Sequence, residues 1–255
     1  MARLRPVAHE DRLSVVEHLD ELRSRVLVSV AALVPALVLC GWKNDLIIAI
    51  LNRPLPKGQE PITLSPTEPF LTTATLVVYA ALLLALPVIL YQAYAFVLPA
   101  FSRRERRVAL PLMVFAPVLF VGGVLFAYFV VLPPAIHVLL GFNADEFNTQ
   151  LRAREYYSFA SLTLISLGIL FQVPIGVLAA TRLGVITPDQ LRRGRRYAIL
   201  GIAVLAALLP TIDPVTMILE MIPLIVLYEL SILVARVFGG PPGAPAEHHA
   251  QLEGS

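Results

Sequence analysis

The chain has 255 residues, a formal net charge of +2 and a mean hydropathy of +0.76, with 57% hydrophobic against 15% charged side chains. A soluble domain of this size has too little interior to hide that much apolar surface. The single cysteine, Cys40, excludes an intramolecular disulfide and any cysteine-rich metal or iron–sulfur site.

Formally uncharged runs cover 26–42, 70–101, 108–143, 156–181 and 197–212. A bilayer core of about 30 Å is crossed by about 20 apolar helical residues. Unbroken runs, without period-two alternation, select helices over a barrel. The sequence therefore predicts an all-α integral membrane protein with six transmembrane helices near 23–42, 70–97, 108–133, 156–181, 197–211 and 214–236. The last two are expected to be short, since Tyr197 to Pro210 rises only about 21 Å. Residues 1–238 form a single polytopic membrane domain in this reading, and the Pro- and Gly-rich 239–255 is a disordered cytoplasmic tail. The acidic lead-in (Glu10, Asp11, Glu17, Asp20, Glu21) and the lack of a small-x-small cleavage site predict that the first span is retained. Pro35, Pro87, Pro111, Pro117, Pro174 and Pro223 recur through the spans and favour a curved wall over a straight bundle.

Arginine placement sets orientation. Arg3, Arg5, Arg12, Arg23 and Arg25 precede the first span, Arg103, Arg104, Arg106 and Arg107 follow the second, and Arg182, Arg192, Arg193, Arg195 and Arg196 follow the fourth. The alternate loops hold only Lys43, Arg53, Lys57, Arg152 and Arg154. The positive-inside rule then puts both termini in the cytoplasm of a multi-pass protein.

No phosphate-binding loop is present, because neither Lys43 nor Lys57 stands in a Gly-Lys-Ser/Thr context. His9, His18 and His137 lack metal-ligand spacing, and no nucleophile–base pattern gives catalysis a seat. An enzyme, a cofactor, a metal site and a nucleic-acid partner are therefore not expected. The informative charges are acidic groups among arginines: Glu21 in Asp20-Glu21-Leu22-Arg23-Ser24-Arg25, and Glu105 in Arg103-Arg104-Glu105-Arg106-Arg107. Glu21 and Arg25 are spaced for a local ion pair, and the second loop is explicable as a topogenic basic segment. Together, two carboxylates at the membrane edge suit a ligand with paired guanidiniums, which bind carboxylates bidentately. Within the spans, Gln172, Glu220 and Glu229 are the polar candidates. Intramembrane polar groups face a bundle interior or a wet cavity. Gln172 suits either an interhelical hydrogen bond or a functional contact, Glu229 suits pairing near the Arg236 end, and Asp213 suits a cap on the sixth helix.

Several segments, in order, resemble the TatC family, the polytopic core of twin-arginine protein translocases. They are His18-Leu19-Asp20-Glu21-Leu22-Arg23-Ser24-Arg25, Ser65-Pro66-Thr67-Glu68-Pro69-Phe70, Pro87 to Phe96, Pro99-Ala100-Phe101 with Glu105-Arg106-Arg107, Phe126 to Val130, Phe171-Gln172-Val173-Pro174 and Ile186-Thr187-Pro188. The resemblance covers roughly 14–238. It implies a glove-like six-span fold in the cytoplasmic (inner) membrane and a receptor for twin-arginine signal peptides. It further implies an oligomer with TatA- and TatB-like single-span partners among membrane lipids, exporting folded proteins with the proton-motive force. Carried over by position, Glu21 and Glu105 receive the arginine pair, with Arg23 and Phe96 beside them. Pro54, Gln172 and Asp213 fall at other sensitive or partner-contact positions. Gln172 stands where many members have glutamate, and Met217 where many have glutamine. A proton-coupled small-solute transporter is the alternative, disfavoured by the lack of an internal repeat. An assembly scaffold without signal recognition is another.

Overall fold

The computed structural model describes residues 15–98, 103–142, 146, 150–182, 185–208 and 214–238. The expectations for Asp213 and for the tail 239–255 lie outside the described residues. The described elements are helices α1 (Val15–Trp42), α2 (Asn44–Asn52), α3 (Glu68–Val97), α4 (Arg103–Phe126), α5 (Leu132–Gly141), α6 (Ala153–Leu170), α7 (Val173–Arg182), α8 (Pro188–Arg193), α9 (Arg195–Leu208) and α10 (Pro214–Phe238). Among the described residues, four helical stretches are long and apolar enough to cross a bilayer: His18–Trp42, Glu68–Val97, Val114–Gly141 and Ala153–Thr181.

Among the described residues α9 has 14 residues. α10 has 25 residues and rises about 37 Å, so the expectation that it is short is not met, although its bounds agree with the expected 214–236 to within two residues. Pro223 lies inside α10 without ending it. Pro35 and Pro87 are carried likewise inside α1 and α3. Neighbouring helices can re-satisfy the backbone groups that a proline frees in a membrane. Pro174 coincides with an interruption. It has no N–H for the carbonyl of Leu170, and α6 gives way to α7 across Phe171 and Gln172. There the Gln172 N–H donates to the Ile169 carbonyl at 2.9 Å, a tighter turn than the α-helix.

Between α4 and α5 a five-residue π segment, Ala127–Val131, makes the third apolar stretch continuous from 103 to 141, longer than the expected 108–133. Two loop helices, α2 and α8, have no counterpart in the hydropathy pattern. α8 is closed by a reciprocal capping box, in which Gln190 N–H donates to Thr187 Oγ1 (3.2 Å) and Thr187 N–H to Gln190 Oε1 (2.8 Å).

Small residues set the packing. α1 meets α3 through buried Ala36, Cys40, Ala81 and Ala85, which let two backbones approach as membrane helices require. α6–α7 is the central stretch: half of its apolar window is buried, against 11% for α1. α4 crosses α6 at two glycines. A Cβ on Gly123 would stand 2.7 Å from Phe171 Cγ and 3.0 Å from the Leu167 carbonyl oxygen, and one on Gly168 would stand 2.6 Å from Phe120 Cε2. Phe120 fills the space beside them and is fully buried with Leu86 and Ile165. The neighbouring Gly122 meets nothing within 4 Å.

These two adjacent glycines give a controlled comparison. Gly123→Ala is expected to destabilise by about 1–3 kcal/mol, the usual cost of overpacking. Gly122→Ala is expected to be neutral or slightly stabilising, because alanine is the better helix former. Thermal unfolding of the two variants in detergent checks this.

Candidate functional site

The ends of α1 and α3 that lie nearest the arginine-rich segments come together around Glu21. The sequence places Glu21 and Arg25 one turn apart on α1, and Gln92 and Phe96 one turn apart on α3. Arg25 donates to Glu21 Oε1 from both Nε (3.0 Å) and Nη2 (2.5 Å), and its Nη1 reaches across to Gln92 Oε1 at 3.1 Å. His18 stacks on Phe96, with ring centroids 4.2 Å apart and planes inclined by 15°. Its Nδ1 stands 3.9 Å from Glu21 Oε2. The local ion pair anticipated from spacing is therefore present, and it is tied to α3 by a second-helix contact that spacing alone did not reveal.

Both carboxylate and guanidinium are half-buried, with side-chain exposures of 25% and 26%. Among the described residues, one oxygen of Glu21 is thus committed to Arg25 while the other has only the longer approach from His18. A carboxylate in this state accepts a further donor without losing its first. Arg23 is exposed. Glu105 lies in the first turn of α4, where a carboxylate is favoured by the helix N-terminus, and its side chain lies outside the described residues.

Gln172 belongs to a different cluster. It is 8% exposed; its Nε2 donates to the Ala116 carbonyl at 3.2 Å, and its Oε1 accepts from Tyr94 Oη at 3.4 Å. One side chain at the α6–α7 interruption therefore links α4 and α3. Tyr94 lies midway between Gln92 and Phe96, so the last turns of α3 touch the Glu21 cluster on one face and Gln172 on another.

At the opposite end of the bundle, three tyrosine hydroxyls serve the end of α2. Tyr128 Oη donates to the Ile50 carbonyl (2.7 Å), Tyr156 Oη to the Leu51 carbonyl, and Tyr157 Oη to Asn52 Oδ1 (3.0 Å). The last carbonyls of a helix lack their usual partners within it; two of these hydroxyls reach such carbonyls, that of Ile50 beside the Arg53 N–H (3.2 Å), and the third holds the Asn52 side chain. Pro54 follows in the turn after α2, half-buried. The chain then runs to Ile62, which exchanges backbone hydrogen bonds with Leu151 and Ala153, each 2.8 Å.

Beside that bridge, Glu68 is 4% exposed and receives Arg152 Nε on Oε1 (2.7 Å), Arg152 Nη2 on Oε2 (3.4 Å) and the Leu64 N–H on Oε2 (2.9 Å). The Glu68 carboxylate holds the Arg152 guanidinium above its ordinary pKa. Sequence reasoning placed Glu68 in a motif but gave it no role. The available signal was a lone acid just ahead of one apolar run and a short charged cluster, Arg152, Arg154 and Glu155, just ahead of another.

The family model described as Sec-independent protein translocase protein (TatC) matches residues 17–223. The chain belongs to the TatC family. Among curated TatC relatives, that of Desulforapulum autotrophicum is 34% identical over 246 residues, 95% of this chain and 91% of the relative. That of Escherichia coli is 34% identical over 235 residues, 91% of each. Two crystal structures of the twin arginine translocase receptor TatC, one in DDM, align with TM-scores of 0.77 and 0.78 at 37% identity. They cover 87% and 88% of this chain and 99% and 100% of their own. TatC is a family of membrane translocase components rather than of catalysts, and the residues that make the Glu21, Gln172 and Glu68 clusters all lie within the matched segment.

Arg152→Ala is expected to lower the unfolding temperature clearly, because it leaves a buried carboxylate without its fork of donors. Arg152→Lys should recover only part of the loss, since an ammonium cannot span both oxygens. For Gln172→Leu, loss of two interhelical hydrogen bonds predicts a cost of about 1 kcal/mol. Thermal unfolding in detergent reads all three.

Proposed function

We propose that this chain is the signal-peptide receptor and core of a twin-arginine translocase. The observation that carries the reading is the Glu21 cluster. A guanidinium is already docked on Glu21 beside a stacked imidazole and phenyl ring, and among the described residues the second carboxylate oxygen meets only the His18 imidazole, at 3.9 Å. A second guanidinium, brought by a twin-arginine signal peptide, finds charge-assisted acceptors at Glu21 and at Glu105 on the neighbouring helix. Arg23 and Phe96 flank this surface, Phe96 offering an aromatic wall to the peptide. The names of the aligned receptors support the assignment.

In this reading residues 1–238 are one membrane domain of six spans in the cytoplasmic membrane. The arginine asymmetry supports placing both termini in the cytoplasm, with 239–255 as a tail there. α9 and α10 supply the fifth and sixth spans. The core recruits TatA- and TatB-like single-span helices into an oligomer, with Gln172, Pro54 and Asp213 at or near their contacts. The proton-motive force drives export of folded proteins. The chain itself performs no catalysis.

Binding of a fluorescent Arg-Arg signal peptide to the detergent-purified chain, against a Lys-Lys control, tests the proposal. Glu21→Ala and Glu105→Ala should each weaken Arg-Arg binding by roughly tenfold or more, the loss expected for a charge-assisted hydrogen bond. Equal binding of the two peptides, or wild-type binding by both variants, overturns the assignment of these carboxylates.

A further inference from the structure

The corner between α8 and α9 is polar above and apolar below on one helix face. A cavity of about 470 Å³ is lined by Asp189, Arg192 and Arg193 of α8 and by Arg195 at the start of α9. Among the described residues, Arg195 is paired with Glu229 (2.6 Å), while Arg192 and Arg193 are in no ion pair. Arg196 lies over the Tyr197 ring, 4.9 Å from its centroid. Counting Asp189 and Glu229 against the four arginines leaves two positive charges in excess.

Below it, a groove of about 200 Å³ is walled by Ala198, Gly201, Ile202 and Leu205 of α9 and by Leu224 and Leu227 of α10. Arg195, Ala198, Ile202 and Leu205 recur at three- and four-residue intervals, so the guanidinium stands above the groove on the same stripe of α9. The corner is fixed to α10 at two successive residues. Tyr228 Oη donates to the Leu191 carbonyl at 2.8 Å, and Glu229 accepts from Arg195. The exposed Tyr197 and Leu200 mark the passage from headgroup to hydrocarbon depth.

We propose that cavity and groove form one binding site for an anionic phospholipid, its phosphate among Arg192, Arg193 and Arg195 and one acyl chain against Gly201. Three features select this ligand. The unmatched guanidiniums require an anion, and guanidinium forks suit phosphate oxygens. The apolar groove directly beneath requires that the anion carry a hydrocarbon chain. The location, at an arginine-rich membrane edge between helices, is where basic pockets meet acidic headgroups. The site is separate from the Glu21 cluster and does not depend on the receptor reading.

Native mass spectrometry of the purified full chain, titrated with phosphatidylglycerol, phosphatidylcholine or glycerol phosphate, tests it. Phosphatidylglycerol should bind more tightly than phosphatidylcholine, and glycerol phosphate should not compete at the same concentration. The double variant Arg192→Gln/Arg193→Gln should weaken phosphatidylglycerol binding by roughly thirtyfold, about fivefold for each arginine. Gly201→Leu fills open space, since nothing lies within 4 Å of a Cβ there, and should also weaken lipid binding while leaving the unfolding temperature unchanged. Removal of Arg103 and Arg104 in place of Arg192 and Arg193 should leave phosphatidylglycerol binding intact. Equal binding of the two lipids, or an equal loss on removing Arg103 and Arg104, overturns the site in favour of general charge attraction. Full competition by glycerol phosphate, or undiminished binding by Gly201→Leu, overturns the acyl half of the proposal.

Discussion

α4 and α6 cross where Gly123 and Gly168 have no side chains, and much of the arrangement depends on that approach. With the backbones this close, Phe171 lies on Gly123 and Phe120 fills the space at Gly168. Phe171 in turn opens the two-residue interruption that Pro174 imposes on the fourth apolar stretch. Gln172, the second residue of that interruption, is thereby within reach of Ala116 on α4 and Tyr94 on α3. The position of a polar side chain inside an apolar bundle is thus decided by two missing methyl groups and one missing N–H. Glutamine suits the place: it donates to a carbonyl and accepts from a phenol at once, without a charge to bury.

The same economy of polar groups operates at both ends of the bundle. A short helix such as α2 leaves a large share of its carbonyls without internal partners. The hydroxyls of Tyr128, Tyr156 and Tyr157 reach its last turn from two other elements, so satisfying the backbone also locks α2 to the π segment and to α6. Glu68 and Arg152 do for the following loop what the tyrosines do for the helix. At the arginine-rich end the pairs are more exposed, Glu21 with Arg25 and Arg195 with Glu229. The buried, fully partnered groups hold the fold, and the half-exposed ones retain capacity for another ligand.

The four membrane-length apolar helices were legible because lipid imposes a coarse rule: long uncharged runs become helices. The Glu21–Arg25 pair was legible because spacing of four on a helix brings side chains together. What spacing along one helix cannot provide is the partner on another, so Gln92 against Arg25, Phe96 against His18 and Arg152 against Glu68 needed the packed structure. Proline was the least informative signal. Pro35, Pro87 and Pro223 pass without breaking their helices, while Pro174 coincides with an interruption and Pro133 and Pro134 follow the π segment. α2 and α8 escaped notice because each is shorter than any hydropathy window and is stabilised by distant hydroxyls or by its own cap.

The π segment has one further effect, on register. Up to Ala127 the buried positions on α4, at Ala116, Phe120, Gly123 and Ala127, follow the three-and-four alternation of an α-helix. Beyond it they are the pairs Val131 and Leu132, then Ala135 and Ile136, while Val130 and Pro134 are exposed. One surplus residue thus rotates everything after it by about a hundred degrees relative to an uninterrupted helix. α5 keeps Leu132, Ala135 and Ile136 buried only because of this phase shift. A single-residue deletion anywhere between 127 and 131 would remove the surplus residue and, by doing so, turn the wrong side of α5 to the core.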